Sequence, residues 1–177
     1  MTNKRERVFL ALALIPLILT TPGYCGDGEA SRQSLKGLKE LMVAVEKLQP
    51  DLEKLGTTRS QIEGDVKSKL TSAGIRIISN VQELAKTPGR PLLYVNVNSY
   101  HRPDIGIVAF SINVELSQSV SLKRSQNLDM DAATWSVVFI GLTGDKRVGA
   151  IRDYVKDLVD VFIKAHSLVN LKQSGHR

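Results

Sequence analysis

Apolar and polar side chains alternate over the middle of the chain for longer than anywhere else. Between positions 108 and 122 the even-numbered residues are apolar apart from Gln118, while the odd-numbered residues are mostly serine, asparagine and glutamate. A period of two predicts a long strand with one buried face and one exposed face. A strand of this length is expected to contain a bend or a bulge.

Four further segments are predicted to be strands. Residues 92–100 alternate in the same way, with Leu93, Val95 and Val97 directed toward the core. The largely apolar segments at residues 38–48, 75–78 and 134–141 have the composition of buried strands. Trp135 is the second residue of the last of these segments and is expected to belong to the core.

Two helices and one short helical segment complete the predicted elements. Thr58 and Gln61 form a capping box, and an apolar stripe at four- and three-residue spacing follows until Gly74 ends the helix. Asn80 caps one or two turns that reach Lys86. A wide apolar face along residues 151–169 predicts the final helix. Residues 49–56 and 126–133 are predicted to be loops.

The predicted order is therefore β-α-β-(α)-β-β-β-α. It indicates an α+β fold: a two-layer sandwich with a largely antiparallel sheet of about five strands and two main helices on one face. Residues 38–171 are predicted to form this single domain. Residues 26–37 are expected to be a flexible lead-in and residues 172–177 a disordered tail.

The amino-terminal residues have the pattern of a secretory signal. Basic residues at positions 4, 5 and 7 precede an uninterrupted apolar run of 12 residues, 8–19. That run is shorter than the roughly 20 residues needed to span a membrane, and it matches the apolar region of a signal peptide. We therefore predict a signal peptide over residues 1–25, a periplasmic protein, and no transmembrane segment after cleavage.

Cys25, the one cysteine of the chain, lies at the predicted cleavage site. Gly23 and Cys25 occupy the third-last and last positions before Gly26, where signal peptidase prefers small residues. Cleavage there would leave a chain without a thiol. The alternative is a lipoprotein anchored through Cys25, but Tyr24 stands where a lipoprotein signal requires a small residue.

The charge distribution gives little support to a nucleic-acid partner. The formal net charge is +6, and it falls to +4 once residues 1–25 are removed. The remaining basic residues are mixed with acidic ones, and the local candidate Lys123–Arg124 is only a pair, whereas nucleic-acid binding needs a clustered basic surface. We predict no nucleic-acid partner.

The sequence contains no recognisable catalytic or metal-binding motif. No nucleophile elbow, phosphate-binding loop or calcium-binding loop is present, so we predict no enzyme activity, no cofactor and no metal. The alternative is a small-ligand carrier or a hydrolase-like enzyme with its site at the tip of the 100–105 hairpin. That site would use Tyr100, His101 and Asp104.

The exposed sides of the two longest strands form a candidate interaction surface. Pairing Asn96 with Ser111 and Tyr94 with Asn113 would produce a sheet face rich in amides and hydroxyls, with a single formal charge. Asparagine is depleted in strands, which makes its repetition here notable. The alternative is an ordinary solvated sheet face. The candidate surface consists of Tyr94, Asn96, Asn98, Ser111, Asn113 and Glu115.

Four segments carry a resemblance to a known group of proteins: "LKGLKELMVAVEKL", "AGIRIIS", "PLLYVNVNSY" and "IRDYVKDLVDVFIKAHSLVN". With them, the chain resembles a family of small exported bacterial proteins of unknown function, over nearly all of residues 26–177. The element order is also distantly similar to periplasmic α/β sandwich domains of envelope-assembly proteins, which dock partners and perform no chemistry. The resemblance implies an envelope interaction or assembly module whose partner is an envelope protein or a glycan.

Overall fold

A computed structural model describes residues 26–170, with the side chains of residues 126 and 127 excepted. Five strands form one sheet in the order β2-β1-β3-β4-β5. Strand β1 is parallel to β2 and β3, whereas β3, β4 and β5 are antiparallel neighbours. The strands are β1 (Glu40–Val45), β2 (Arg76–Ile77), β3 (Leu92–Arg102), β4 (Ile107–Leu122) and β5 (Ser125–Gly144).

Two long helices pack on one face of this sheet and confirm the predicted α+β fold. They contribute buried residues such as Val66 and Phe162 to one core, together with Leu93, Ile112 and Trp135 of the sheet. The face that they cover is called the inner face below, and the opposite one the outer face. The helices are α1 (Glu29–Gln33), α2 (Pro50–Lys54), α3 (Arg59–Ser72), α4 (Val81–Lys86) and α5 (Ala150–Asn170), with a 3-10 turn at Asp145–Arg147.

The local signals for helix ends are confirmed. The Gln61 N–H donates to Thr58 Oγ1 at 3.3 Å, and the Thr58 N–H donates to Gln61 Oε1 at 3.0 Å, which completes the capping box. Gly74 has a φ of 80°, the left-handed conformation that glycine adopts without a steric penalty. Asn80 Oδ1 accepts from the Glu83 N–H at 2.9 Å and begins α4.

Two segments predicted to be loops belong to regular elements. Residues 50–54 form α2, which starts at Pro50; proline suits the first helical position because its missing N–H would have no intrahelical partner there. Residues 126–133 lie within β5, which pairs with β4 as far as Leu122 across bulges near Leu116 and Leu122. Hydrogen bonds to β4 satisfy backbone N–H and C=O groups of this polar segment. Its polar composition was therefore a poor guide to its secondary structure.

The prediction of a flexible lead-in over residues 26–37 is wrong. Residues 29–33 form α1, and the Leu35 side chain is completely buried. Asp27 Oδ1 accepts hydrogen bonds from Trp135 Nε1 at 2.8 Å and from Arg32 Nε at 2.9 Å. The bond from Arg32 is the main reason that the pKa of Asp27 is lowered, although burial opposes the shift. The contact with Trp135 spans more than a hundred residues, so no local periodicity revealed it.

Candidate functional site

The six residues of the candidate interaction surface lie on the outer face of β3 and β4. They are called the polar stripe below: Tyr94, Asn96, Asn98, Ser111, Asn113 and Glu115. Asn98 is exposed and the other five are half-buried. Alternation along the two strands brings them together, since Leu93, Val95 and Ile112 between them point into the core.

The predicted pairing of these two strands is wrong by two residues. Asn96 lies opposite Asn113, and Tyr94 lies opposite Glu115. The strands continue to Arg102 and Ile107, so the connecting loop is shorter than the sequence suggested. A shift of two residues leaves every side chain on its predicted face, because side chains alternate with a period of two.

The carboxylate of Glu46 lies beside the polar stripe, although the sequence-based prediction did not include this residue in the candidate surface. The Tyr94 hydroxyl donates a hydrogen bond to Glu46, which follows β1. This bond raises the pKa of Tyr94 and lowers the pKa of Glu46. The alternation Leu41, Val43, Val45 placed Glu46 on the outer face, but only the parallel pairing of β1 with β3 places it beside Tyr94.

The remaining polar contacts order the stripe. Asn113 Nδ2 donates to Glu115 Oε2 at 2.9 Å, and Gln49 Nε2 donates to Asn98 Oδ1 at 3.3 Å. Within residues 26–170, Asn113 Oδ1 is buried and has no hydrogen-bond partner. A buried acceptor without a donor is destabilising. Together with Glu46, the stripe presents two carboxylates, a phenol and several amides. This set of groups is suited to binding hydrogen-bond donors.

The three hairpin-tip residues do not form a common site. Tyr100 and His101 are consecutive strand residues and therefore point to opposite faces. Tyr100 is 67% exposed on the outer face, whereas His101 Nε2 is buried without a hydrogen-bond partner in the described part of the chain. Asp104 accepts from Arg102 Nε at 2.8 Å and from Arg102 Nη2 at 2.6 Å. The geometry gives no support to a catalytic group made of these residues.

The outer face also carries an apolar row that the sequence did not single out. Val138, Ile140 and Leu142 of β5 are 41%, 77% and 71% exposed, and they lie opposite Asn113, Ser111 and Ala109 respectively. The segment "VVFI" is continuously apolar, so it gave no alternation from which exposure could be read. These three residues are called the edge row below.

Other kinds of site receive no support from the described residues. Within residues 26–170, no helix has both the length and the hydropathy to cross a membrane. Across the same residues, no three histidine, cysteine, aspartate or glutamate side chains gather as metal ligands would.

The structure defines an α+β sandwich whose outer sheet face carries the polar stripe beside the apolar edge row. No protein-family model and no curated protein sequence matches the chain. Two solved structures of a PelC dodecamer from Paraburkholderia phytofirmans are distantly similar to the chain. A point variant is 15% identical with a TM-score of 0.43, covering 74% of this chain and 90% of its own. The other PelC structure is 14% identical with a TM-score of 0.40, and the match covers 83% of this chain and 93% of the PelC chain.

Proposed function

We propose that this protein is an exported, non-catalytic interaction module of the bacterial envelope that binds its partner through the polar stripe. The observation that carries the proposal is the grouping of Glu46, Tyr94 and Glu115 across neighbouring strands, with asparagine side chains beside them. These groups converge on one sheet face although they come from distant parts of the sequence. Ordered amides and a tyrosine are typical of recognition surfaces.

The chemistry of the stripe favours a partner that donates hydrogen bonds. Glu46 and Glu115 supply carboxylate oxygens, and the half-buried Asn96 and the exposed Asn98 supply amide oxygens. A polyanion would be repelled by the two carboxylates. A hydroxyl-rich glycan of the envelope fits this surface best, because each sugar hydroxyl can donate one hydrogen bond and accept others.

Two added lysines should abolish binding while leaving the fold intact. Asn96→Lys and Ser111→Lys introduce positive charge and long side chains into the stripe, and these positions are diagonal neighbours. Lysines at Asn96 and Asn113 would lie directly opposite each other and repel, so they are avoided. We expect the double variant to lose co-purification of envelope carbohydrate with a melting temperature within a few degrees of the unmodified protein.

The matched control adds the same charge elsewhere. Ser60→Lys and Ser68→Lys alter exposed positions of α3, on the other layer of the sandwich. This control should retain the carbohydrate. Equal retention by both double variants, with both folded, would reject the polar stripe as the binding surface.

The export part of the proposal is tested by intact-mass spectrometry of the protein isolated from cells. The expected mass corresponds to an amino terminus near Gly26 without an attached lipid. Cleavage before Cys25 with a diacylglycerol on its thiol would replace the periplasmic assignment with a membrane-anchored one. An uncleaved chain would contradict export.

A further inference from the structure

Strand β5 is the last strand of the sheet, and within residues 26–170 no other strand pairs with its outer edge. The Ser136 N–H donates to Gly26 O at 3.4 Å, so at this residue the N–H points away from β4. Since N–H and C=O groups alternate in direction along a strand, those of Val138, Ile140 and Leu142 face the same edge. The edge row therefore combines exposed apolar side chains with backbone N–H and C=O groups that point away from β4, where a further strand could pair.

This edge lacks the features with which sheet edges usually avoid pairing. Residues 132–144 contain no charged residue and no proline. Both bulges of β5 lie before Trp135, so the part that follows pairs regularly with β4. Free edges are commonly protected by charge, by proline or by a bulge, and an unprotected apolar edge is a surface for strand pairing.

We propose that two copies of this chain pair through β5 in an antiparallel arrangement, with Ile140 at the two-fold axis. Gly26 occupies the edge at Ser136, and the 3-10 turn begins at Asp145, so the open segment is centred near residue 140. The pairing would place Val138 beside the partner's Leu142 and join the two five-stranded sheets into one of ten strands. The outer face, with its polar stripe, would then be continuous across both copies.

The charges at the two ends of the segment favour this orientation over a parallel one. Asp129 and Asp131 precede the open segment, and Lys146 and Arg147 follow it. An antiparallel pair brings the acidic end of each strand toward the basic end of the other, whereas a parallel pair would bring like charges together. A two-fold arrangement also makes the same patch serve both copies, which is how most dimers associate.

Cysteine cross-linking tests the register directly. In a full chain whose Cys25 is replaced by serine, Ile140→Cys supplies a single thiol. At the two-fold axis its Cα would lie about 5.5 Å from the Cα of its copy, within the range that a disulfide spans. Mild oxidation should convert most of the protein to a covalent dimer.

Val138→Cys in the same background is the matched control. Its two copies would be separated by roughly 13 Å along the strands, so cross-linking should be at least about tenfold slower. Equal rates for Ile140→Cys and Val138→Cys would overturn the proposed register.

Sedimentation analysis tests the dimer itself. The unmodified chain should sediment as a dimer at micromolar concentration and Ile140→Lys as a monomer, because two lysines would meet at the axis. Val81→Lys, at a 64% exposed position of α4, should remain dimeric. A monomeric unmodified chain would overturn the proposal. Ser111 lies opposite Ile140, whereas Asn96 lies on β3, two strands away from β5. The single stripe variant Asn96→Lys therefore reports on partner binding apart from the dimer, so either proposal can fail without the other.

Discussion

Replacing Phe110 with alanine is expected to lower the free energy of unfolding by about 3–5 kcal/mol, as removal of a buried aromatic ring does. Phe110 is 3% exposed, and its ring centroid lies 5.6 Å from that of Tyr154 and 6.0 Å from that of Phe139. Gly141 lies opposite Phe110 on β5, and a Cβ there would come within 2.8 Å of the Phe110 ring. Because Gly141 has no side chain, it cannot fill the space that the ring would leave. Urea denaturation provides the measurement.

Ser111→Ala is the control for this change. Ser111 is the next residue of β4 and points to the outer face, so its replacement should cost less than about 0.5 kcal/mol. If both substitutions had the same large cost, the sheet would be covered on both faces. The two-layer description of the fold would then be wrong.

Replacing Leu35 with alanine is expected to cost about 2–5 kcal/mol, the usual range for a buried leucine. Leu35 is completely buried in the main core. Its backbone is held as well, since Asn170 Nδ2 donates to Leu35 O at 2.8 Å. The segment before β1 is therefore part of the folding unit, and its loss of packing should appear in the global unfolding transition.

Gln33→Ala changes an exposed residue of the same segment and should leave the unfolding midpoint nearly unchanged. A Leu35→Ala variant as stable as Gln33→Ala would show that residues 26–37 detach readily from the domain. Thermal and urea unfolding of the two variants, measured side by side, distinguish these results.

The sequence by itself determined the features that depend on neighbours along the chain. The capping box of Thr58 and Gln61 and the left-handed Gly74 are local, because their hydrogen bonds and dihedral angles involve residues a few positions apart. The alternation at residues 108–116 determined which side chains of β4 are buried, since a strand places successive side chains on opposite faces. The face of each stripe residue followed from the same rule.

Only the tertiary structure decided how these elements meet. The two-residue error between β3 and β4 left every face unchanged, so alternation could not detect it. Glu46 joins Tyr94 only through the parallel pairing of β1 with β3, and Trp135 holds Asp27 across more than a hundred residues. The exposure of Ile140 follows from its place on the last strand of the sheet. Strand order and register arise from contacts between distant residues, and for that reason they leave no periodic signal in the sequence.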